Sequence, residues 1–535
     1  MNFNSLYNPY ASQRYTVYSK SGVVATSQPL AAQAGLEILK KGGNAIDAAI
    51  ATASCLTVVE PTSNGIGGDA FAIIYHNDKL YGMNSSGYAP KNINSEDLIN
   101  KGLKTMPTYG WIPVTVPGVP KAWGELSKKF GNLDFKTVLE PATDYAENGF
   151  PISPVLGKYW KSAFEHYKKV FKGDEFENWF KTFAPNGKAP EIGEIFKNKD
   201  QAKTFKILSK NYCEEFYKGE IAEKIDTFSK KTGGIITKED LQNFNLEWLD
   251  PVSVNYRGYD VWELPPNGQG IITLIALNIL KNFEFSEKDN IDTYHKSIEA
   301  LKLAFADGKE YITDLKKMKV SVKDLLSEEY GKSRAALIDK NALTPFAGKP
   351  DYSGTVYLAC ADKWGNMVSY IQSNYMGFGS GIVVPETGIA LQNRGNNFSL
   401  DKNHINYLEP LKRTYHTIIP GFLTKNNKAV GPFGVMGGFM QPQGHLQVLM
   451  NSIDFNLNPQ ASLDAPRWQW TDGKTVTIEK NIPEHIALGL IRKGHDIKID
   501  LNRGSFGRGQ IIWKLDNGVY AAGTEPRTDS KIACW

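Results

Sequence analysis

The chain has 535 residues, with 61 Lys and Arg against 57 Asp and Glu, a formal net charge of +4. Apolar residues make up 41 % and charged residues 22 %, which excludes a disordered chain, a collagen or a coiled coil. So small a charge on so long a chain gives no reason to expect nucleic acid or an acidic membrane as partner.

The opening MNFNSLYNPYASQRYTVYSKSG lacks a basic start followed by an apolar run, so no secretory signal is expected. The most apolar early stretch, 45–59, carries Asp47 and is too short to span a bilayer. Cys55, Cys213, Cys360 and Cys534 are far apart and form no CxxC pair. A long chain with four scattered thiols reads as reduced, and the cytoplasm is the expected compartment.

Residues 30–41 (LAAQAGLEILKK) predict a helix closed by Gly42-Gly43. Asn44 then caps a second helix through AIDAAIATASCLTVV, with Asp47 in its first turn and a composition that predicts burial. PTSNGIGGD (61–69) is a Gly-rich turn. AFAIIYH and KLYGMN follow as strands around the hairpin pair Asn77-Asp78. From about 120 to 250, helical patterns such as PKAWGELSKKF and FKTVLEPATDYAENG dominate. Residues 344–354 read as an exposed loop. After it TVYLACA, NMVSYIQSN and GIVVPETGIAL are strand-like, with turns at 362–365 and 377–381. Helix-rich then strand-rich texture predicts an α+β or layered α/β fold.

Ser353-Gly354-Thr355-Val356 sets a hydroxyl residue at the start of a strand, directly after glycine. Threonine there is placed to attack the preceding carbonyl, and Gly354 offers neither steric block nor conformational resistance. Cleavage frees the amine of Thr355, giving a nucleophile with its own proton acceptor. Taken alone, Gly-Thr reads more simply as a turn-to-strand junction. The cluster Gly434-Val-Met-Gly437-Gly438 supplies backbone N–H groups for an oxyanion, or else a tight turn. Arg394 and His416 read first as structural hydrogen-bonding residues. The glycines at 377–381 and 504–509 lack the Lys-Ser/Thr and the strand–loop–helix setting of a phosphate loop, so no nucleotide site is expected. The eight histidines show no HExxH or comparable spacing, so no metal is expected.

Ten motifs, in order, resemble those of the γ-glutamyltranspeptidases (glutathione hydrolase proenzymes). They are GGNAIDAAIA (42–51), EPTSNGIGGDAF (60–71), VPGVPKAW (116–123), PPNGQG (265–270), SGTVYLACAD (353–362), GNMVS (365–369), FGSGIVVPETGI (378–389), NNFSLD (396–401), MGGFMQPQGHLQ (436–447) and LDAPRWQW (463–470). The resemblance implies an N-terminal-nucleophile hydrolase: a four-layer αββα sandwich, two stacked, mainly antiparallel sheets between helical layers. It implies self-cleavage at Gly354–Thr355 into a large chain, 1–354, and a small chain, 355–535, which stay together as one intertwined domain. Thr355 is then nucleophile and, through its amine, base. Gly437 and Gly438 align with the oxyanion-hole glycines, and Ser373 with a hydroxyl residue supporting the nucleophile. No cofactor is needed, and the implied partner is a small-molecule amide, glutathione by default.

The pattern breaks where the family recognises its substrate. Ser86 stands where the family has an Arg for the glutamyl α-carboxylate, and Asn397 where it has an Asp for the α-amine. His416 and Thr417 replace paired serines, and Thr-Thr-His at the nucleophile reads Thr355-Val356-Tyr357. Arg394, where the family usually has a neutral or acidic side chain, is the candidate replacement grip for a carboxylate, with His416 as a further donor. The expected activity is cleavage of γ-glutamyl amides, with transfer to water or an amine. One alternative is an acylase acting on another acyl group, such as glutaryl, with the related cephalosporin acylases as precedent. The other is an unprocessed, non-catalytic binding protein.

Overall fold

The structure, a computed structural model, describes residues 13–345 and 354–535. Ser353 and most of the expected 344–354 loop lie outside the described residues.

Local sequence rules account for the early elements. Helix Pro29–Lys40 carries Pro at its first position and ends at Gly42, whose φ is 97°. Helix Ala45–Val59 starts with a capping box: the Asn44 side chain accepts from the Asp47 N–H, and the Asp47 carboxylate accepts from the Asn44 N–H. All fifteen residues of that helix are buried, as its apolar composition demands. Strands Asp69–His76 and Lys79–Ser85 turn through Asn77 and Asp78, both at positive φ. In the GIVVPETGIAL stretch only the two-residue strands Val383–Val384 and Ile389–Ala390 form, because Pro385 and the Gly388 turn lie between them.

Two seven-stranded sheets, antiparallel throughout, make the centre. One runs, in spatial order, Val17–Ser19, Tyr520–Thr524, Arg508–Lys514, Lys428–Met436, Gly421–Lys425, Tyr259–Glu263 and Val252–Tyr256. The other runs Lys531–Cys534, Gly22–Thr26, Gly354–Asp362, Met367–Tyr375, Asp69–His76, Lys79–Ser85 and Glu247–Leu249. Their inner faces share a core that includes Val23, Phe71, Ile73, Tyr357, Phe422 and Ile512. Helices such as Ala45–Val59 and Val119–Phe130 cover the second sheet outside. Gly270–Leu280, Ile291–Tyr311 and Met440–Ile453 cover the first. This is the expected αββα sandwich. Each sheet draws strands from both sides of the Gly354–Thr355 bond, so the two segments interleave in both.

Among the described residues no helix is long and apolar enough to cross a membrane. The four cysteines carry free thiols, three of them buried.

Candidate active site

Thr355 is the second residue of strand Gly354–Asp362 and is fully buried in the uncut chain. Opposite it the register slips: Gly354 pairs with Tyr375 but Val356 with Gln372, so the facing strand carries one extra residue. A bulge of this kind re-aims side chains locally. Here it sets the Ser373 hydroxyl against Thr355, whose Oγ1–H donates to Ser373 Oγ at 3.2 Å. The Tyr375 N–H donates to the same Ser373 oxygen at 2.8 Å, fixing its orientation.

The glycine cluster has divided roles. Gly434 leaves room for the Tyr357 ring, which reaches across from the other sheet; a Cβ there would lie 2.5 Å from that ring. Gly437 and Gly438 adopt φ values of 139° and 60°, in the region that favours glycine. Their carbonyls are used internally. Gly437 O accepts from the Met440 N–H, and Gly438 O accepts from Gln269 Nε2 at 2.8 Å. In a trans peptide the Gly438 N–H points opposite to the Gly437 carbonyl, away from the helix that carbonyl caps. Gly437 itself lines a cleft of about 500 Å³.

Arg394 is wholly buried in the short helical turn Arg394–Asn397. Its guanidinium lies over the Tyr375 ring at 4.3 Å, and Nη1 donates to Thr417 Oγ1 at 2.8 Å. Nε is 4.0 Å from Asp69 Oδ2, and neither Nε nor Nη2 has a hydrogen-bond partner among the described residues. Burial lowers its pKa to about 10, still well above neutrality.

Asp69 was legible only as part of the Gly-rich motif, and it lies at the centre of this group. Its Oδ1 accepts from the Gly87 N–H at 3.0 Å and from Gln392 Nε2 at 2.8 Å. Its Oδ2 accepts from His416 Nε2 at 3.0 Å. Burial raises its pKa to about 7 against the opposing pull of Arg394. The signal in the sequence is a carboxylate at an apolar strand start: DAFAIIY places a charge where neighbouring residues are Gly and Ala.

His416 is held neutral, its pKa pushed well below the ordinary value by burial and then by Arg394 and Arg413. Nδ1 accepts from the Ile418 N–H at 3.3 Å, so Nε2 carries the proton given to Asp69. Both ring nitrogens are thus spent inside the protein, and His416 buttresses Asp69 instead of presenting a spare donor. Asn397 is similarly committed: Oδ1 accepts from the Tyr375 hydroxyl at 2.6 Å, and Nδ2 donates to Tyr415 O. The Ser86 hydroxyl donates to Asn84 Oδ1 at 2.7 Å beside Asn267, and its carbonyl accepts from Arg413 Nε at 2.9 Å.

The PPNGQG motif ties the parts together. Gln269 Nε2 donates to Thr417 O and to Gly438 O at 2.7 and 2.8 Å, while its Oε1 accepts from the Tyr415 hydroxyl. One amide therefore spaces the Arg394 partner from the glycine turn.

A separate buried group joins His295, Glu299 and His495, near enough to share a cation. Lys302 Nζ already sits among them, 2.7 Å from Glu299 Oε1 and 3.4 Å from His495 Nδ1. The two imidazoles hydrogen-bond each other at 2.9 Å. This is a filled ion-pair network that also binds the backbone at Asp339 and Leu343.

The family model described as Gamma-glutamyltranspeptidase matches residues 31–535. A glutathione hydrolase-like YwrD proenzyme of Bacillus subtilis is 36 % identical over 96 % of this chain and 98 % of its own. An oxamate amidohydrolase proenzyme of Klebsiella pneumoniae is 31 % identical, again over 96 % and 98 %. The crystal structure of a cephalosporin acylase from Bacillus halodurans superposes with a TM-score of 0.98 at 59 % identity, covering 100 % of this chain and 99 % of its own. The chain belongs to the γ-glutamyltranspeptidase family.

Proposed function

We propose that the chain is a self-processing amidohydrolase that forms an acyl-enzyme on Thr355 and prefers acyl groups ending in a carboxylate. In processing, Thr355 Oγ attacks the carbonyl carbon of Gly354 and the C–N bond breaks. The resulting ester is hydrolysed by water, leaving chains 1–354 and 355–535 with a free amine on Thr355. The interleaved sheets support the two pieces remaining one body.

In turnover the freed amine takes the Thr355 Oγ proton as oxygen attacks the substrate carbonyl, then delivers it to the departing nitrogen. Ser373 orients the nucleophile. The Gly437–Gly438 turn supplies N–H groups to the oxyanion. Water, or an amine, then takes the acyl group from Thr355.

The observation that carries the substrate preference is the asymmetry between Arg394 and Asp69. Two buried guanidinium nitrogens of Arg394, Nε and Nη2, have no hydrogen-bond partner among the described residues. Asp69 already accepts from Gly87, Gln392 and His416. A buried guanidinium with spare donors favours a carboxylate, while Asp69 is already engaged by three donors and lies 4.0 Å from Arg394 Nε, which leaves it less to give an ammonium. A dicarboxylic monoamide of the glutaryl type meets both conditions. The solved acylase at 59 % identity supports this reading. The second reading, a γ-glutamyl amide such as glutathione, draws support from relatives named glutathione hydrolase proenzymes. Glutaryl- and γ-glutamyl-4-nitroanilide, compared with the processed protein, separate them. The expected result is a kcat/KM at least about tenfold higher for the glutaryl compound. A preference for the γ-glutamyl compound overturns the reading.

A further inference from the structure

The cleft beside Gly437 has no part in the chemistry described so far. Its volume of about 500 Å³ is within the range of small-molecule sites. Met376 and Gly377 form part of its wall, directly after the Tyr375 on which Arg394 stacks. Tyr109 and Tyr159 add aromatic surface, and Arg508 stands in its lining.

Arg508 is 7 % exposed. Nη1 donates to Glu60 Oε1 at 3.2 Å, the guanidinium lies 4.8 Å from the Tyr159 ring centre, and the buried Nε has no hydrogen-bond partner among the described residues. Glu60 is itself engaged by the Ser27 hydroxyl, and burial raises its pKa to about 7 despite Arg508 beside it. The other nearby carboxylate, Asp529, is spent on the N-terminus of helix Pro154–Val170, accepting from Ser153 Oγ and the N–H groups of Val155 and Leu156. Arg508 thus places a cation in the lining of the cleft, between aromatic walls and held by Glu60 and Tyr159.

We propose that this cleft is the leaving-group subsite, and that Arg508 selects amines bearing a carboxylate. The inference rests on the acyl-transfer reading above. With the carbonyl at Gly437–Gly438 and the acyl tail at Arg394, the departing amine occupies the cleft that Gly437 borders. A ring or short chain lies against Tyr109 and Tyr159, and its carboxylate meets Arg508. The substrate class is then a monoamide charged at both ends.

The test compares two anilides of the preferred acyl group, the neutral 4-nitroanilide and the 3-carboxy-4-nitroanilide, using processed protein. The ratio of their kcat/KM values, carboxylated over neutral, is expected to fall about tenfold in Arg508→Gln and to be largely kept in Arg508→Lys. Removing Arg508 strands a buried Glu60, so Glu60→Gln/Arg508→Gln is measured beside it. This pair decides the matter if the single variant fails to fold or process. Binding of 5-amino-2-nitrobenzoate, the carboxylated amine product, is measured by calorimetry against 4-nitroaniline. Wild type is expected to bind the carboxylated amine more tightly, and the double variant to lose that preference. If neither anilide turns over while the binding preference holds and depends on Arg508, the acyl-transfer reading and the leaving-group role fail together, and the Arg508 carboxylate site stands. A ratio or a binding preference that the double variant leaves within about twofold of wild type overturns the subsite.

Discussion

A buried arginine with unmet N–H groups is costly, since each lost partner for a charged donor forfeits about 1–3 kcal/mol or more. Among the described residues Arg394 bears that cost with one side-chain hydrogen bond, to Thr417, the Asp69 carboxylate 4.0 Å from its Nε and a Tyr375 ring beneath it. On the proposed reading the cost is recovered when a substrate carboxylate arrives. Arg394→Ala is therefore expected to raise KM for a carboxylate-bearing substrate by about tenfold to a hundredfold, with kcat changed far less. Steady-state kinetics on the processed variant check this; a loss confined to kcat would instead place Arg394 with the reacting atoms. His416 and Asn397 show the limit of residue-by-residue reasoning. Both were legible as departures in the substrate-recognition segment, yet their polar atoms are consumed by Asp69, Ile418, Tyr375 and Tyr415. Which way a buried side chain spends its hydrogen bonds depends on segments far away in the chain, and no local pattern encodes it.

At the scale of elements, the site depends on two strands from different sheets approaching closely. Strand Lys428–Met436 passes Gly354–Asp362 with Gly434 under the Tyr357 ring. Tyr357 is locked by a 2.8 Å hydrogen bond to Ser369 and has no room to retreat. Gly434→Ala is expected to destabilise the fold by about 1–3 kcal/mol, the usual range for overpacking, and to slow processing by moving the strand of the proposed nucleophile. Chemical denaturation and the fraction of cleaved chain measure the two effects; wild-type values for both would show the contact to be slack. Much at this scale was legible from sequence. The Asn44 cap with Asp47 in the first turn, the Asn77-Asp78 hairpin and the Gly42 stop are local signals, and each forms as read. The slip between Gly354 and Val356 that sets Ser373 against Thr355 was not, because a bulge is decided by cross-strand packing and leaves no periodicity. Asp69 escaped notice for a related reason: its partners come from residues 87, 392, 394 and 416, joined only by the fold.

For the molecule as a whole, the topology explains how a chain could be cut two thirds of the way along and survive. Gly354–Asp362 is flanked in its sheet by Gly22–Thr26 and Met367–Tyr375, and the other sheet likewise mixes early and late strands. Cutting one peptide bond removes no ladder between them. The burial of Thr355 in the uncut chain fits a precursor that cannot turn over substrate until the bond is broken. The most direct measurement is the denatured intact mass of wild type beside Thr355→Ala. From a 59.5 kDa chain the account predicts wild-type pieces of about 39 and 20 kDa, the smaller beginning at Thr355, and an uncut variant. A folded wild type that stays whole, or a Thr355→Ala chain that is cut at the same bond, would contradict it.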